Sequence, residues 1–326
     1  MLRIYFTSDD VARTRITSAP DPLWELALSL HMLQNTHGEP VFGQWRRTVR
    51  DGLRTSQLGR RMRLLLALNP PRGYFADFLT PTTGEWDVRD ALEAVRSTPA
   101  ATLRGDLTVL AGEVDLPAEA GPLAHGEVSA VRHLTGAMAD YYQLAIEPYW
   151  RGVRAAVDRD HAARTRAMLD GGTERLLGTL RPGVRWTGGE LQVDYPVDQE
   201  LYLDGRGLVL QPSYFCWRQP VTLLDPSRPP VLVYPVERGT ELVDGAGGTD
   251  GNALAALLGR TRAAVLAQVR TGATTGELAR RLYISPAAAS QHIAVLRNSG
   301  LVTSRRDGNR VLHMLTPLGV AMLSGG

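Results

Sequence analysis

The segment that decides the fold of the C-terminal part of this chain is residues 274–302, TTGELARRLYISPAAASQHIAVLRNSGLV. Thr274 is followed three residues later by Glu277, which is the capping-box spacing that satisfies two unpaired backbone N–H groups where a helix begins. Ser285-Pro286 predicts a second start, because Ser is a favoured N-cap and a Pro at the first helical position loses no hydrogen bond. The segment therefore predicts two consecutive helices, the second over residues 286–298.

The second predicted helix has one apolar face and one free face. Ala289, Ile293 and Leu296 recur at i, i+4 and i+7, so they form a stripe that packs on the rest of the domain. The opposite stripe is small and polar, which suits a helix that enters a DNA major groove about 12 Å wide. Gln291 has a side chain that can pair in a bidentate way with an adenine edge. We therefore expect this helix to read DNA.

After that helix, residues 301–315 predict a β-hairpin. Two β-rich runs flank Asp307-Gly308, a dipeptide typical of a two-residue hairpin turn. A hairpin that follows two such helices is a wing, and arginines near its tip are placed to meet phosphates or the minor groove. The predicted DNA-contacting residues are Thr274, Thr275, Ser285, Ala287, Ser290, Gln291, Arg297, Arg305, Arg306, Asn309 and Arg310.

The charge distribution favours contact with nucleic acid. From Asp250 to the end, nine Arg stand against three acidic residues, a net charge of +6, whereas the first 249 residues sum to −4. The overall charge of +2 conceals this asymmetry. A locally basic segment is what counterion release from phosphates requires. All 36 basic residues are Arg, so each basic side chain that contacts a phosphate does so with a planar guanidinium group.

Residues 285–302 resemble the recognition helix and first wing strand of ArsR-type transcriptional regulators, within a resemblance of about 70 of the 326 residues. The resemblance implies a homodimeric repressor that binds a palindromic operator on double-stranded DNA and is released by an effector. The long preceding region is similar to that of large actinobacterial members. Metal-sensing members carry thiols, but residues 276–279 have none and Cys216 is the only cysteine. We therefore expect no metal and no cofactor, and an effector that is a small organic molecule.

The chain is long enough for two or three domains, and the order of its predicted helices and strands indicates an α+β, mostly helical fold. Residues 1–243 are predicted to form an N-terminal α+β domain, with helices to about residue 180 and a small antiparallel sheet over about 184–236. A Gly-rich linker is expected at 244–251, followed by a winged helix-turn-helix over 252–326 that opens with a helix to about residue 270.

Two helix starts are predicted near the N-terminus. Residues 2–6 alternate between apolar and other side chains, as a strand does. Thr7 then stands three residues before Asp10, the capping-box spacing, so a helix should follow that strand. Residues 21–23, Asp-Pro-Leu, predict a further helix.

The N-terminal domain carries no motif that names a reaction. It lacks His-Glu-x-x-His, Gly-x-Ser-x-Gly and a Gly-Lys-Ser/Thr phosphate loop, so we do not expect an enzyme. Tyr141, Tyr142, Tyr149 and Trp150 concentrate beside Pro148, a pattern typical of core packing and also of an effector cavity. The domain is expected to dimerise, to bind the effector, or both. Two alternatives stay open: an enzyme with a winged-helix appendage, and an effector-independent interaction protein.

No run approaches 18 uninterrupted apolar residues, the length that a membrane-spanning helix needs. The N-terminus also lacks the basic start, apolar middle and small-residue cleavage site of a secretory signal. We expect a cytoplasmic protein that makes no contact with a membrane.

Overall fold

A computed structural model describes residues 1–56, 58–81, 87–180, 183–225, 228–237, 257–269, 272–282, 284–307 and 310–324. The chain forms two compact units, Met1–Gly245 and Ala246–Gly326. The linker predicted at 244–251 lies outside the described residues.

The first unit is mostly helical and is organised around one central helix, α2, which spans Pro22–Gln34. Asp21 caps this helix by accepting hydrogen bonds from the N–H groups of Leu23 and Trp24, with Pro22 at the first position, as the sequence predicts. Eleven of its 13 residues are buried, so other elements must cover it on nearly every side. The helices are α1 Ser8–Arg13, α2 Pro22–Gln34, α3 Glu39–Thr55, α4 Leu58–Leu68, α5 Val88–Arg96, α6 Ala100–Ala111, α7 Ala120–Ala124, α8 Val128–Ala145 and α9 Trp150–Leu177, with short 3₁₀ turns at Asp77–Leu79 and Glu147–Tyr149.

In the described residues of the first unit, the strands form two four-stranded sheets. The strands are β1 Leu2–Tyr5, β2 Arg15–Ile16, β3 Val184–Trp186, β4 Glu190–Val193, β5 Gln199–Tyr202, β6 Val209–Ser213, β7 Val221–Thr222 and β8 Val231–Pro235. One sheet has the order β3-β4-β1-β5, and the other β2-β6-β8-β7. The predicted strand and capped helix at the N-terminus are confirmed, because β1 leads into α1 and Thr7 and Asp10 form the capping box.

The prediction of one small antiparallel sheet over 184–236 is wrong. Strands from residues 2–5 and 15–16 belong to the sheets, and β1–β5, β2–β6 and β6–β8 pair in parallel. Parallel pairing needs a crossover of a dozen or more residues, and the segment 214–230 between β6 and β8 is long enough to supply one. Neighbouring β-rich runs in the sequence did not reveal that their partners came from the far end of the chain.

Two apolar clusters fill this unit. The larger surrounds α2 and includes side chains of α3 to α8 and of the loop after β6. The smaller joins Leu2 and Ile4 of β1 to Leu176 and Leu177 at the end of α9 and to side chains of β4, β6 and β8. Because Leu2 and Ile4 are fully buried, the N-terminal strand is a central part of the core.

The second unit is a winged helix-turn-helix. Its elements are α10 Arg260–Gln268, β9 Ala273–Thr274, α11 Thr275–Arg281, α12 Pro286–Asn298, β10 Val302–Asp307, β11 Arg310–Leu315 and α13 Pro317–Ser324, with the strand order β10-β11-β9. The predicted helix over 252–270 is interrupted at Gly259, whose φ of +85° is left-handed and places it before α10 rather than inside a helix. Residues 251–256 lie outside the described part of the chain.

Candidate nucleic-acid interface

The two helices at the centre of the second unit are set by their caps. The Thr274 hydroxyl accepts a hydrogen bond from the Glu277 N–H, and the Glu277 carboxylate accepts one from the Thr274 N–H at 2.8 Å. These bonds hold the pKa of Glu277 below its usual value. Ser285 caps α12 by accepting from the Ala288 N–H at 3.1 Å. Both predicted helix starts are therefore confirmed, and α12 spans the predicted 286–298.

Helix α12 buries one face and exposes the other. Ala289, Ile293 and Leu296 are buried in the core of the unit, as predicted. Ala287, Ser290 and Gln291 are exposed on the opposite side, where a 100° step per residue places them together. The side chain of Gln291 makes no hydrogen bond with another described residue. The free face is therefore small and polar, with one long amide side chain available for an external partner.

The hairpin carries exposed arginines. β10 and β11 pair so that Arg305 lies opposite Leu312 and Arg306 opposite Val311. Both arginines are exposed, and because side chains alternate along a strand they point to opposite faces. Arg310 lies in β11, but its side chain is not described, and the predicted contact residue Asn309 lies outside the described residues.

Thr274 and Thr275, both predicted to contact DNA, are half-buried and already bonded within the unit. Thr274 caps α11, while the Thr275 hydroxyl lies 3.0 Å from His313 Nε2. His313 Nδ1 lies 2.8 Å from the Ser304 hydroxyl, so one buried ring ties the start of α11 to both wing strands. Burial, with a smaller effect of the positive charge of Arg297, lowers the pKa of His313. The neutral ring is therefore the form that the fold favours.

The electrostatic field of this surface is positive. Arg280, Arg281, Arg297, Arg305 and Arg306 are all exposed, and in the described part of the chain none of them forms an ion pair. Glu277 is the only carboxylate among the side chains described in this unit, and its oxygen is occupied by the α11 cap. The arginine charges are thus left for an anionic partner.

The aromatic residues considered as effector contacts lie in the core of the first unit. Tyr141, Tyr142 and Tyr149 are buried, Trp150 is half-buried, and the Tyr141 hydroxyl lies 3.0 Å from that of Ser29. None of the four lines the large cavity of this unit, which is formed by other segments. Their concentration around Pro148 is explained by core packing. The residues that do line the cavity are spread along the chain and have no local pattern that marks them.

Other site chemistry is sparse in the described part of the chain. It contains no group of three His, Cys, Asp or Glu side chains that is placed to hold a metal ion. Cys216 is buried, and its S–H donates to the Gln219 carbonyl at 3.3 Å. None of the helices described is both long and apolar enough to cross a bilayer.

Comparisons with known proteins concern the second unit. Residues 257–305 match the family model described as a helix-turn-helix domain. The HTH-type transcriptional regulator Rv2034 of Mycobacterium tuberculosis is 42% identical over 69 residues, which are 21% of this chain and 64% of that protein. The HTH-type transcriptional regulator YgaV of Escherichia coli strain K12 is 43% identical over 44 residues, 14% of this chain and 44% of that protein.

The chain spans less than two thirds of the length of these curated relatives. Among solved structures, reduced HlyU from Vibrio cholerae N16961 has 34% sequence identity in a match that covers 22% of this chain and 84% of that chain, with a TM-score of 0.19. The helix-turn-helix segment of this chain is therefore similar in sequence to the corresponding segments of transcriptional regulators.

Proposed function

We propose that this protein is a DNA-binding transcriptional regulator of the ArsR type, and that it acts as a homodimeric repressor. The observation that carries the proposal is the free face of α12, where Ala287, Ser290 and Gln291 are exposed beside unpaired arginines. A small polar helix face fits a major groove, and arginine forks fit phosphates. The sequence similarity of this segment to HTH-type regulators supports the same function.

The contacts divide by chemistry. Base edges are read by the free face of α12, with Gln291 pairing with an adenine through its amide. The exposed Arg297 and a wing arginine on the face of the hairpin that meets the DNA backbone contact phosphates, which positions the helix without adding sequence information. Thr274 and Thr275 act mainly through their internal hydrogen bonds, which hold α11 and the wing in place for α12.

Two copies of the chain are proposed to bind one palindromic operator. A symmetric dimer places its recognition helices at half-sites about 34–36 Å apart, or at a multiple of that distance. α13 has only eight residues and contributes little surface. We therefore assign much of the dimer interface to α10 and to the first unit.

Release from DNA is proposed to follow binding of a small organic effector in the first unit. That unit contains a cavity of about 550 Å³, within the range of small-molecule sites. A ligand shifts the regulator only if it binds the released form more tightly than the DNA-bound form.

The test uses the full chain and fluorescently labelled DNA from upstream of its own gene, with a shuffled duplex of equal length as competitor. We expect at least about 1,000-fold preference for the specific duplex at physiological salt. Ala287→Glu places a carboxylate on the proposed base-contacting face, where repulsion by phosphates should lower affinity at least about 100-fold.

Ala321→Glu is the matched control, because it makes the same substitution at an exposed position on α13, which contributes little to the proposed dimer interface. Its effect should stay below about threefold. Glu near a helix N-terminus is favourable, so Ala287→Glu should not unfold α12. Equal losses in the two variants, or no preference between the duplexes, would sink the proposal.

A further inference from the structure

The cavity of the first unit has a mainly aromatic and aliphatic wall. The end of α2, the segment 71–77, the β4–β5 connection and the loop after β6 enclose about 550 Å³. Phe215 belongs to this wall, and its backbone N–H donates a hydrogen bond to the buried carboxylate of Glu25 at 2.9 Å. The Phe215 ring stacks on Phe42 at 5.5 Å between centroids. This wall is therefore preformed, as a site for a rigid planar ligand requires.

Among the lining residues, His31 has a ring nitrogen without a hydrogen-bond partner in the described part of the chain. The Asn69 amide donates through Nδ2 to the Ala27 carbonyl at 2.7 Å, so its Oδ1 is the atom that faces His31 Nε2 at 3.0 Å. His31 must then carry its proton on Nε2, which leaves Nδ1 as an acceptor. Burial lowers the pKa of His31 to about 4, so the ring is neutral at physiological pH. In the described residues Nδ1 has no hydrogen-bond partner.

The buried carboxylate of the lining, Asp77, already accepts hydrogen bonds from the backbone. Asp77 Oδ2 accepts hydrogen bonds from the N–H groups of Leu224 and Asp225, at 3.0 and 2.8 Å. Glu113 accepts from the Tyr74 N–H at 2.9 Å and is exposed to solvent, as is Arg72. A ligand that enters the cavity therefore meets a mainly apolar wall, and His31 Nδ1 is an acceptor that no described residue occupies.

We propose that this cavity binds a neutral, planar aromatic molecule that donates one hydrogen bond, from a phenol-type O–H or a ring N–H, to Nδ1 of His31. The proposal names the chemical class of the effector, and the ligand's role in regulation rests on the proposed function. Binding of the ligand itself can be measured without DNA. Phe75 lies edge-on to His31 at 5.6 Å and provides a second ring against which such a molecule packs.

The test is isothermal titration of the full chain with two probes of nearly equal shape. 2-Naphthol carries the donor, and 2-fluoronaphthalene lacks it. We expect 2-naphthol to bind about 10-fold more tightly, since the second probe leaves a buried acceptor unpaired. His31→Phe keeps an aromatic ring and removes the acceptor, so the preference should fall to about one. 2-Naphthoate tests for an anionic ligand and should bind more weakly than 2-naphthol.

A second variant guards against a folding defect in His31→Phe. Val221→Phe adds bulk to the cavity wall and should weaken both probes at least about fivefold. Val128→Phe makes the same change at a position that is 69% exposed and should weaken neither. Failure of both naphthalenes to bind, equal affinity for them, a preference that survives His31→Phe, or tighter binding of 2-naphthoate overturns the proposal.

The operator measurement separates this proposal from the regulatory one. Selective binding of 2-naphthol with unchanged operator affinity leaves the cavity assignment standing and removes its effector role. Strong operator binding together with no probe binding leaves the proposed DNA-binding function standing and overturns the cavity assignment.

Discussion

Replacing Arg305 and Arg306 one at a time by Ala should give unequal losses of DNA affinity. The two residues are consecutive in β10, so their side chains leave opposite faces of the hairpin. Arg306 shares its face with Ser304, which bonds to the buried His313, while Arg305 lies opposite Leu312 on the other face. A hairpin edge that approaches one DNA backbone presents one of these faces to it. We therefore expect one arginine to contact a phosphate and the other to remain in solvent.

The magnitude follows from counterion release. One phosphate contact contributes about 0.9 to the slope of log K against log salt concentration. If the variant and the parent protein bind equally at 1 M salt, losing that contact lowers affinity about 5-fold at 0.15 M and about 15-fold at 0.05 M. The other single variant should change the slope by less than about 0.3, and the double variant should match the larger single loss.

The assay is fluorescence anisotropy of the operator duplex at four or more salt concentrations, for the parent protein, both single variants and the double variant. Arg104→Ala serves as a control, because it removes one exposed positive charge from α6, outside the hairpin and outside α10. Two equal single losses that add to a slope change of about 1.8 would refute the inference that only one face of the hairpin contacts DNA. An unchanged slope in all variants would remove the wing from the interface.

Three further predictions concern the second unit. Gln291→Ala should weaken operator binding by about 1–3 kcal/mol and leave binding to a shuffled duplex unchanged; equal losses on both would contradict base reading. The folded state lowers the pKa of His313, so the stabilising effect of the neutral ring should be complete above the unfolded pKa near 6.5 and be lost as pH falls through the folded pKa. The unfolding temperature of the parent protein should therefore fall more steeply between pH 8 and pH 5 than that of His313→Gln. Parallel curves would exclude this linkage. Gly319→Ala places a Cβ 2.1 Å from the Leu301 carbonyl oxygen and should destabilise the unit by about 3 kcal/mol or more, whereas Gly276→Ala, with open space at its Cβ, should stabilise it by up to about 1 kcal/mol; similar denaturation midpoints for the two variants would show that α13 shifts freely.

The features that could be predicted were those made by residues close together in the chain. Capping boxes at Thr7 and Thr274 and the N-caps Asp21 and Ser285 each join atoms two or three residues apart, so the sequence displays them directly. The buried and free faces of α12 follow from helical periodicity in the same way. For this reason α12 and the hairpin were predicted with nearly correct boundaries.

Long-range arrangement was the part that remained hidden. The sequence predicted an antiparallel sheet because neighbouring β-rich runs usually pair, but residues 2–5 take a central place beside β4 and β5. The role of His313 was also hidden, since its partners Thr275 and Ser304 lie 38 and 9 positions away. A side chain's hydrogen-bond partners across a fold depend on how elements pack, which residue type does not reveal.

The free face of α12 and its basic surroundings come from local pattern and composition, because helix periodicity and charge are properties of consecutive residues. The cavity that we assign to an effector comes from tertiary structure alone. Its wall brings together the end of α2, the segment 71–77 and the loop after β6, which are separated by up to about 190 residues. The unpaired nitrogen of His31 depends on the orientation of Asn69, which only packing against α2 decides.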